Sequence, residues 1–149
     1  MQFVCLTKIA AETAEEAITA LAGRLLDAGH VKASFGSAAV LREKRFPTGL
    51  PFEPSAVALP HTDPEHIERS VIGIATLLAP VRFRQMGTPS ILLEVSLVLM
   101  PAFTTKEHAA AGLNHLVEAL QDEAFRAELL GCANDLELET LGRSRWGEL

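Results

Sequence analysis

Two of the five histidines lie in the stretch AVALPHTDPEHIERS, residues 56–70. His61 follows Pro60, which ends a short apolar run. Proline cannot donate a ladder hydrogen bond, so it tends to end a strand. His61 is therefore expected on a rigid corner, partly open to solvent. A neutral imidazole is a good nucleophile near pH 7, because its pKa lies close to that value. Taken alone, such a histidine reads first as an ordinary surface residue of a loop.

His61, Asp63, Glu65 and His66 are all metal-ligand types and fall within six residues. Their spacing argues against a metal. The two histidines are not at the i, i+4 distance that aligns imidazoles on a helix face. Pro64 interrupts continuous helix, and no cysteine lies near. Asp63 and Pro64 read instead as the N-cap and first position of a short turn, flanked by His66.

Arg42 precedes FPTG, residues 46–49. It is either a surface charge or a fork for a phosphoryl group, since guanidinium matches phosphate geometry with two parallel hydrogen bonds. Thr48 and Gly49 could add a hydroxyl and open amides. His108 reads as a helix-start surface residue and His115 as a boundary residue. His30, after Gly29, sits where a cation suits the helix dipole. There is no GxGxxG, no Walker A pattern, no GxSxG and no CxxC, so the familiar nucleotide and hydrolase signatures are missing.

The elements that must position these residues follow from periodicity. FVCL (3–6) reads as a first strand. Thr13 and Glu16 have capping-box spacing ahead of AEEAITALAGRLLDAG, in which Ala17, Ile18, Leu21 and Leu25 share a face and Gly29 supplies the stop. A second helix runs through SFGSAAVLREKRF (34–46), capped by Ser34 or Ser37 and ended by Pro47 and Gly49. PFEPS reads as loop. AVAL (56–59) is apolar without alternation, as a strand covered on both faces would be. VIGIATLL (71–78) and LLEVSLVLM (92–100) read as longer strands, with VRFRQ (81–85) between them as a half-exposed one. A helix from Thr105 places Leu113, Leu116, Val117 and Leu120 on one stripe. DEAFRAELLG and DLELETLG add two shorter helices. The expected fold class is α/β, a single domain over 1–149 with a central mixed β-sheet flanked by helices on both faces. In such sheets, sites collect at strand ends, where His61 stands.

Composition narrows the partners. Apolar residues make up 48 % and charged ones 21 %, as in a folded chain. Net charge is −6, and LREKRF, the densest basic patch, reads as a solvated helix face, so no nucleic-acid partner is expected. No apolar run reaches the length of a membrane span, and Glu94 interrupts one of the two longest. No signal-peptide pattern is seen. Cys5 and Cys132 read as reduced, partly buried thiols of a cytoplasmic protein without a structural disulfide.

The stretch LREKRFPTGLPFEPSAVALPHTDPEHI (41–67) resembles the active-site region of the EIIA domains of the bacterial phosphoenolpyruvate-dependent sugar phosphotransferase system, mannitol/fructose-type superfamily. That family pattern is an Arg-Glu pair on a helix, a Thr-Gly turn, and a small-apolar strand ending in Pro-His. Here these are Arg42-Glu43, Thr48-Gly49 and AVALPH. The FPTG turn, and Thr62 where many relatives carry glycine, look most like the galactitol-type branch. VRFRQMG and LEVSLVLMPA fall where the family has central strands, and residues 116–141 resemble its C-terminal helices. The resemblance runs from Glu12 to Leu141.

What the resemblance implies is specific. His61 would accept a phosphoryl group from the phosphocarrier protein HPr and pass it to a cysteine of a cognate EIIB during sugar uptake. Arg42 would match the arginine that neutralises the transferring group, with Thr48, Gly49 and Thr62 binding the phosphate. No nucleotide, metal or other cofactor is implied. His108 is the nearest match to a second histidine that many mannitol- and fructose-type members carry. It falls one residue short of that register, counted from ALQDE, and galactitol-type members need not have it. It is expected to orient the phosphoryl group or hydrogen-bond to it. Apolar surface on LPFEP and ILLEV is expected to receive the partners. The alternative reading is a regulatory, nitrogen-related EIIA-like phosphoprotein that signals through a protein partner. A third is a binding module that kept the fold and lost the chemistry.

Overall fold

The two longest apolar runs pair with each other. In a computed structural model, which describes residues 1–149, β4 (Val71–Gln85) and β5 (Thr88–Ala102) form an antiparallel hairpin. Its turn uses Gly87 at φ +75°, a conformation glycine takes without steric cost. Residues 81–85, expected as a separate strand, are the distal half of β4. The register shifts between Thr76 and Val81, and Leu78, Ala79 and Pro80 stand out into solvent there. Pro80 has no N–H to give to a ladder, so a bulge is where a strand can hold it.

β1 (Gln2–Ile9) runs parallel to β4 along the outer edge, Gln2 opposite Val71 and Leu6 opposite Ala75. On the far side of the hairpin, β3 (Ala56–Ala58) runs parallel to β5. β2 (Gly49–Leu50), too short to be read from periodicity, pairs antiparallel with β3. The distal arm of the hairpin bends round until Gln85 pairs with Gly49, and Met86 N donates to Gly49 O at 2.8 Å. The sheet is mixed, as expected, and β2, β3, β5 and β4 close on one another.

Both faces are covered. α1 (Ala14–Asp27) and α2 (Phe35–Arg45) pack Ile18, Leu21, Leu25 and Phe35 against Ala56, Ala58, Val71 and Ala75. On the opposite face, α3 (Lys106–Leu120), α4 (Glu123–Gly131) and α5 (Asp135–Trp146) pack Leu116, Leu120, Phe125 and Trp146 against Val57, Leu59, Ile72 and Ile74. Successive strand residues thus enter different cores, which is why AVAL and VIGIATLL do not alternate in hydropathy. Each such fully buried aliphatic side chain contributes about 1.5–3 kcal/mol.

The caps mostly follow expectation. Thr13 accepts from Glu16 N at 3.1 Å, and the Glu16 carboxylate accepts from Glu12 N at 2.7 Å. α2 differs. Ser34 stands at its N-cap but makes no capping bond; its hydroxyl pairs with His66 Nδ1 at 2.8 Å, tying α2 to the loop after His61. His30 is not a helix-end cation: burial, then the nearby Arg69 charge, pushes its pKa down. Cys5 and Cys132 are free and buried, and burial lifts the Cys5 thiol to about 12. No helix is long and apolar enough to cross a membrane.

Candidate active site

The site is assembled where β3 ends. Leu59 follows β3, and both of its backbone groups are held. Its N–H donates to Thr48 Oγ1 at 3.0 Å. Its carbonyl lies 2.7 Å from His61 Nδ1. A carbonyl oxygen can only accept, so Nδ1 carries the proton. In the neutral ring the free lone pair is then on Nε2. Burial pushes the His61 pKa down; the Leu59 bond opposes this, Arg42 lowers it further and Asp63 raises it. The net shift is downward, so the ring is neutral at pH 7.

Behind Leu59 stands a buried polar pair. Glu43 projects inward from α2, and its carboxylate accepts from Thr48 N at 3.0 Å and from Thr48 Oγ1 at 2.8 Å. Burial raises the Glu43 pKa, and the two Thr48 bonds work against that rise. The bonds run Glu43, Thr48, Leu59, His61 without a gap. The aim of the imidazole is thus set from within the fold, not by a surface loop. Replacing Thr48 with valine should leave Leu59 N and one Glu43 oxygen unpaired, at a cost of about 1–3 kcal/mol. Urea unfolding should show a lower midpoint at unchanged slope. An unchanged midpoint would detach Thr48 from the support of the site.

Arg42, one residue before Glu43, points the other way. Its Nη1 lies 3.5 Å from Asp63 Oδ1, and its guanidinium carbon sits 5.6 Å from the centre of the Phe46 ring. Its Nε is buried and has no hydrogen-bond partner in the protein. Arg42, Phe46, Thr62, Asp63 and His66 line one cleft of about 230 Å³. Thr62 is buried and donates its hydroxyl to Asp63 O at 3.0 Å.

The structure therefore brings Arg42, Thr62 and Asp63 into one cleft, with His61 next to Thr62 in the chain and under the influence of the Arg42 charge, and with Thr48 in the layer behind. Gly49 lies in β2, where an added Cβ would stand 2.6 Å from Arg84 O, so its need for glycine is a close backbone approach. His108 begins α3, its N–H donated to the Thr105 hydroxyl at 3.2 Å. It lines a different cavity, of about 540 Å³, with Phe103, Gly112 and His115. It makes no hydrogen bond to His61 or Arg42. Two residues escaped the sequence reading as members of the site. Glu43 had a visible signal: with Phe35 and Ala39 it falls on the buried face of α2, an odd place for a carboxylate. Asp63 read as a turn cap and as one of four metal-ligand types whose spacing argued against a metal, and its side chain makes no capping bond.

A neutral imidazole under the influence of a guanidinium charge is chemistry that suits phosphoryl transfer, and comparison with known proteins gives the family. Residues 2–141 match the family described as phosphoenolpyruvate-dependent sugar phosphotransferase system, EIIA 2. The chain belongs to this EIIA family. Over 127 residues, 80 % of the chain, it is 33 % identical to multiphosphoryl transfer protein 2 of Escherichia coli K12, of which the match covers 14 %. Over 70 residues, 47 % of the chain, it is 33 % identical to the galactitol-specific EIIA component of the same strain, of which the match covers 47 %. The chain thus spans less than half the length of these curated relatives. The E. coli complex of enzyme IIA-Mtl with phosphorylated enzyme IIB-Mtl has the same fold, with TM-score 0.76 at 24 % identity, covering 96 % of this chain and 99 % of that one. As an EIIA, the protein is a phosphotransferase-system component, and its mixed sheet between two helical layers is an EIIA fold.

Proposed function

We propose that this EIIA is a phosphoryl carrier with His61 as the acceptor, working in the cytoplasm during sugar uptake. The observation that carries the reading is the 2.7 Å bond from His61 Nδ1 to Leu59 O, which fixes the tautomer and leaves Nε2 the nucleophile. The Nε2 lone pair attacks the phosphorus carried by phospho-HPr. A P–N bond forms, and the bond from phosphorus to HPr breaks with its electron pair staying on HPr. A cysteine sulfur of a cognate EIIB then attacks the same phosphorus and His61 recovers its pair. Arg42 faces the developing charge, with Thr62 beside it and Thr48 and Gly49 bracing the strand end. Catalysis here is positioning and charge stabilisation, and no nucleotide or metal enters the step.

The test is intact mass after incubation with phosphoenolpyruvate, enzyme I and HPr. One added phosphoryl group is expected, acid-labile and localised by fragmentation to the peptide holding His61. No gain, with a control EIIA labelled alongside, would overturn the reading.

Two proteins must visit one site, so apolar surface should surround it. Phe46, Met86, Ile91 and Leu92 are all exposed, and half-buried Leu50 adjoins Gly49, the residue that holds Met86. Leu50→Asp is expected to slow transfer from HPr about tenfold, a loss near 1.4 kcal/mol, with the circular-dichroism spectrum unchanged. Wild-type kinetics in that variant would remove the loop from the interface.

A further inference from the structure

Asp63 pairs with Arg42, whose charge also bears on His61, yet the pair is a poor structural bond. The separation is 3.5 Å, and 63 % of the Asp63 side chain is exposed, so water screens it. The loop does not depend on it either. Thr62 Oγ1 donates to Asp63 O, Lys32 N donates to His66 O at 2.9 Å, and the His66 ring pairs with Ser34. The carboxylate is therefore free of any duty in placing the backbone. It nevertheless lies two residues from the acceptor histidine, in the same cleft as Arg42 and Thr62, and its charge bears on the His61 ring. Arg42 also keeps a buried Nε donor that Asp63 does not use.

Resting on the relay reading above, we infer that Asp63 is a positioning residue that holds Arg42 before phosphoryl transfer and then competes with the phosphoryl group for it, so that phospho-His61 is kept ready to give its group away. The arithmetic of charge sets the direction. The phosphoryl group brings nearly two negative charges to a cation already facing a carboxylate. Before transfer, Asp63 stabilises the cation; after transfer, it repels the arriving group. Both effects favour the free form over the phosphorylated one. Removing the carboxylate should make His61 a better acceptor at equilibrium and a worse donor.

The experiment mixes known amounts of phospho-HPr with wild type, Asp63→Asn or Asp63→Glu, without enzyme I, and reads the final distribution of phosphoryl groups by intact mass. Asp63→Asn is expected to shift the ratio toward the phosphorylated protein about fivefold, and Asp63→Glu to return it toward wild type. The shift should shrink at high salt, because the groups are partly exposed. A merely structural loss would slow the approach to equilibrium without moving it that way. A ratio unchanged in Asp63→Asn, or moved toward phospho-HPr, overturns this inference and leaves the relay intact. A wild type that takes no phosphoryl group overturns the relay, and this inference with it.

Discussion

Replacing His61 with alanine is expected to abolish phosphoryl uptake from phospho-HPr and to leave the fold in place. Each other histidine is placed for something else. His30 is buried, His66 has Nδ1 on the Ser34 hydroxyl and Nε2 facing Glu65, and His108 and His115 line the separate cavity. His61 has its tautomer fixed by the Leu59 carbonyl, and the Arg42 charge bears on its ring. The structural cost of the change is the one bond to Leu59 O, about 1 kcal/mol, so the unfolding midpoint should move little. The check is intact mass on both proteins, with urea unfolding as the control. Labelling of the variant at the wild-type rate would move the acceptor elsewhere. The pH profile carries a sign. Burial, with Arg42 assisting, holds the His61 pKa below the ordinary histidine value, so wild-type uptake should persist through pH 6.5 and fall only at more acid pH.

Arg42→Gln should come second in effect, lowering the uptake rate by about 10²–10³, the usual loss when one preorganised donor to developing charge is removed. The guanidinium stands at the cleft wall, and 35 % of its side chain is exposed, so the fold should survive. Arg42→Lys should restore part of the rate, since a point charge remains without the fork. Loss of the cation also lets the His61 pKa rise, which favours the non-nucleophilic imidazolium. Rates measured at pH 8 separate that effect from lost charge stabilisation. A loss under tenfold at pH 8 would take Arg42 out of the transfer step.

Much of this was legible in the sequence because local chemistry decides it. Thr13 with Glu16, Thr105 and the Leu113–Leu120 stripe announce their helices, and Pro60 announces the corner that carries His61. The non-alternating apolar run AVAL at 56–59 already says that both sheet faces are covered. What was not legible depends on distant partners. β2 exists because Gly49 meets Ala58 and Gln85, and two residues have no period to read. Residues 81–85 join β4 because β5 pairs with them beyond the bulge. Ser34 loses its capping role to a ring 32 residues away. Thr48 read as a phosphate-facing hydroxyl; its bond to Leu59 N depends on how β3 returns past α2. Glu43 stood in view as half of the Arg-Glu pair and in helical step with Phe35 and Ala39, but its bonds to Thr48 depend on the fold.

The bond from Met86 to Gly49 has a mechanical consequence. The tip of the β4–β5 arm is riveted, through β2, to the residue next to Thr48, and Thr48 grips the N–H of Leu59, the residue on whose carbonyl His61 leans. The arm cannot swing free of the His61 corner without tearing that rivet. A partner landing on Met86, Ile91 or Leu92 would therefore push on one stiff lever, its load spread over the whole closed set of strands.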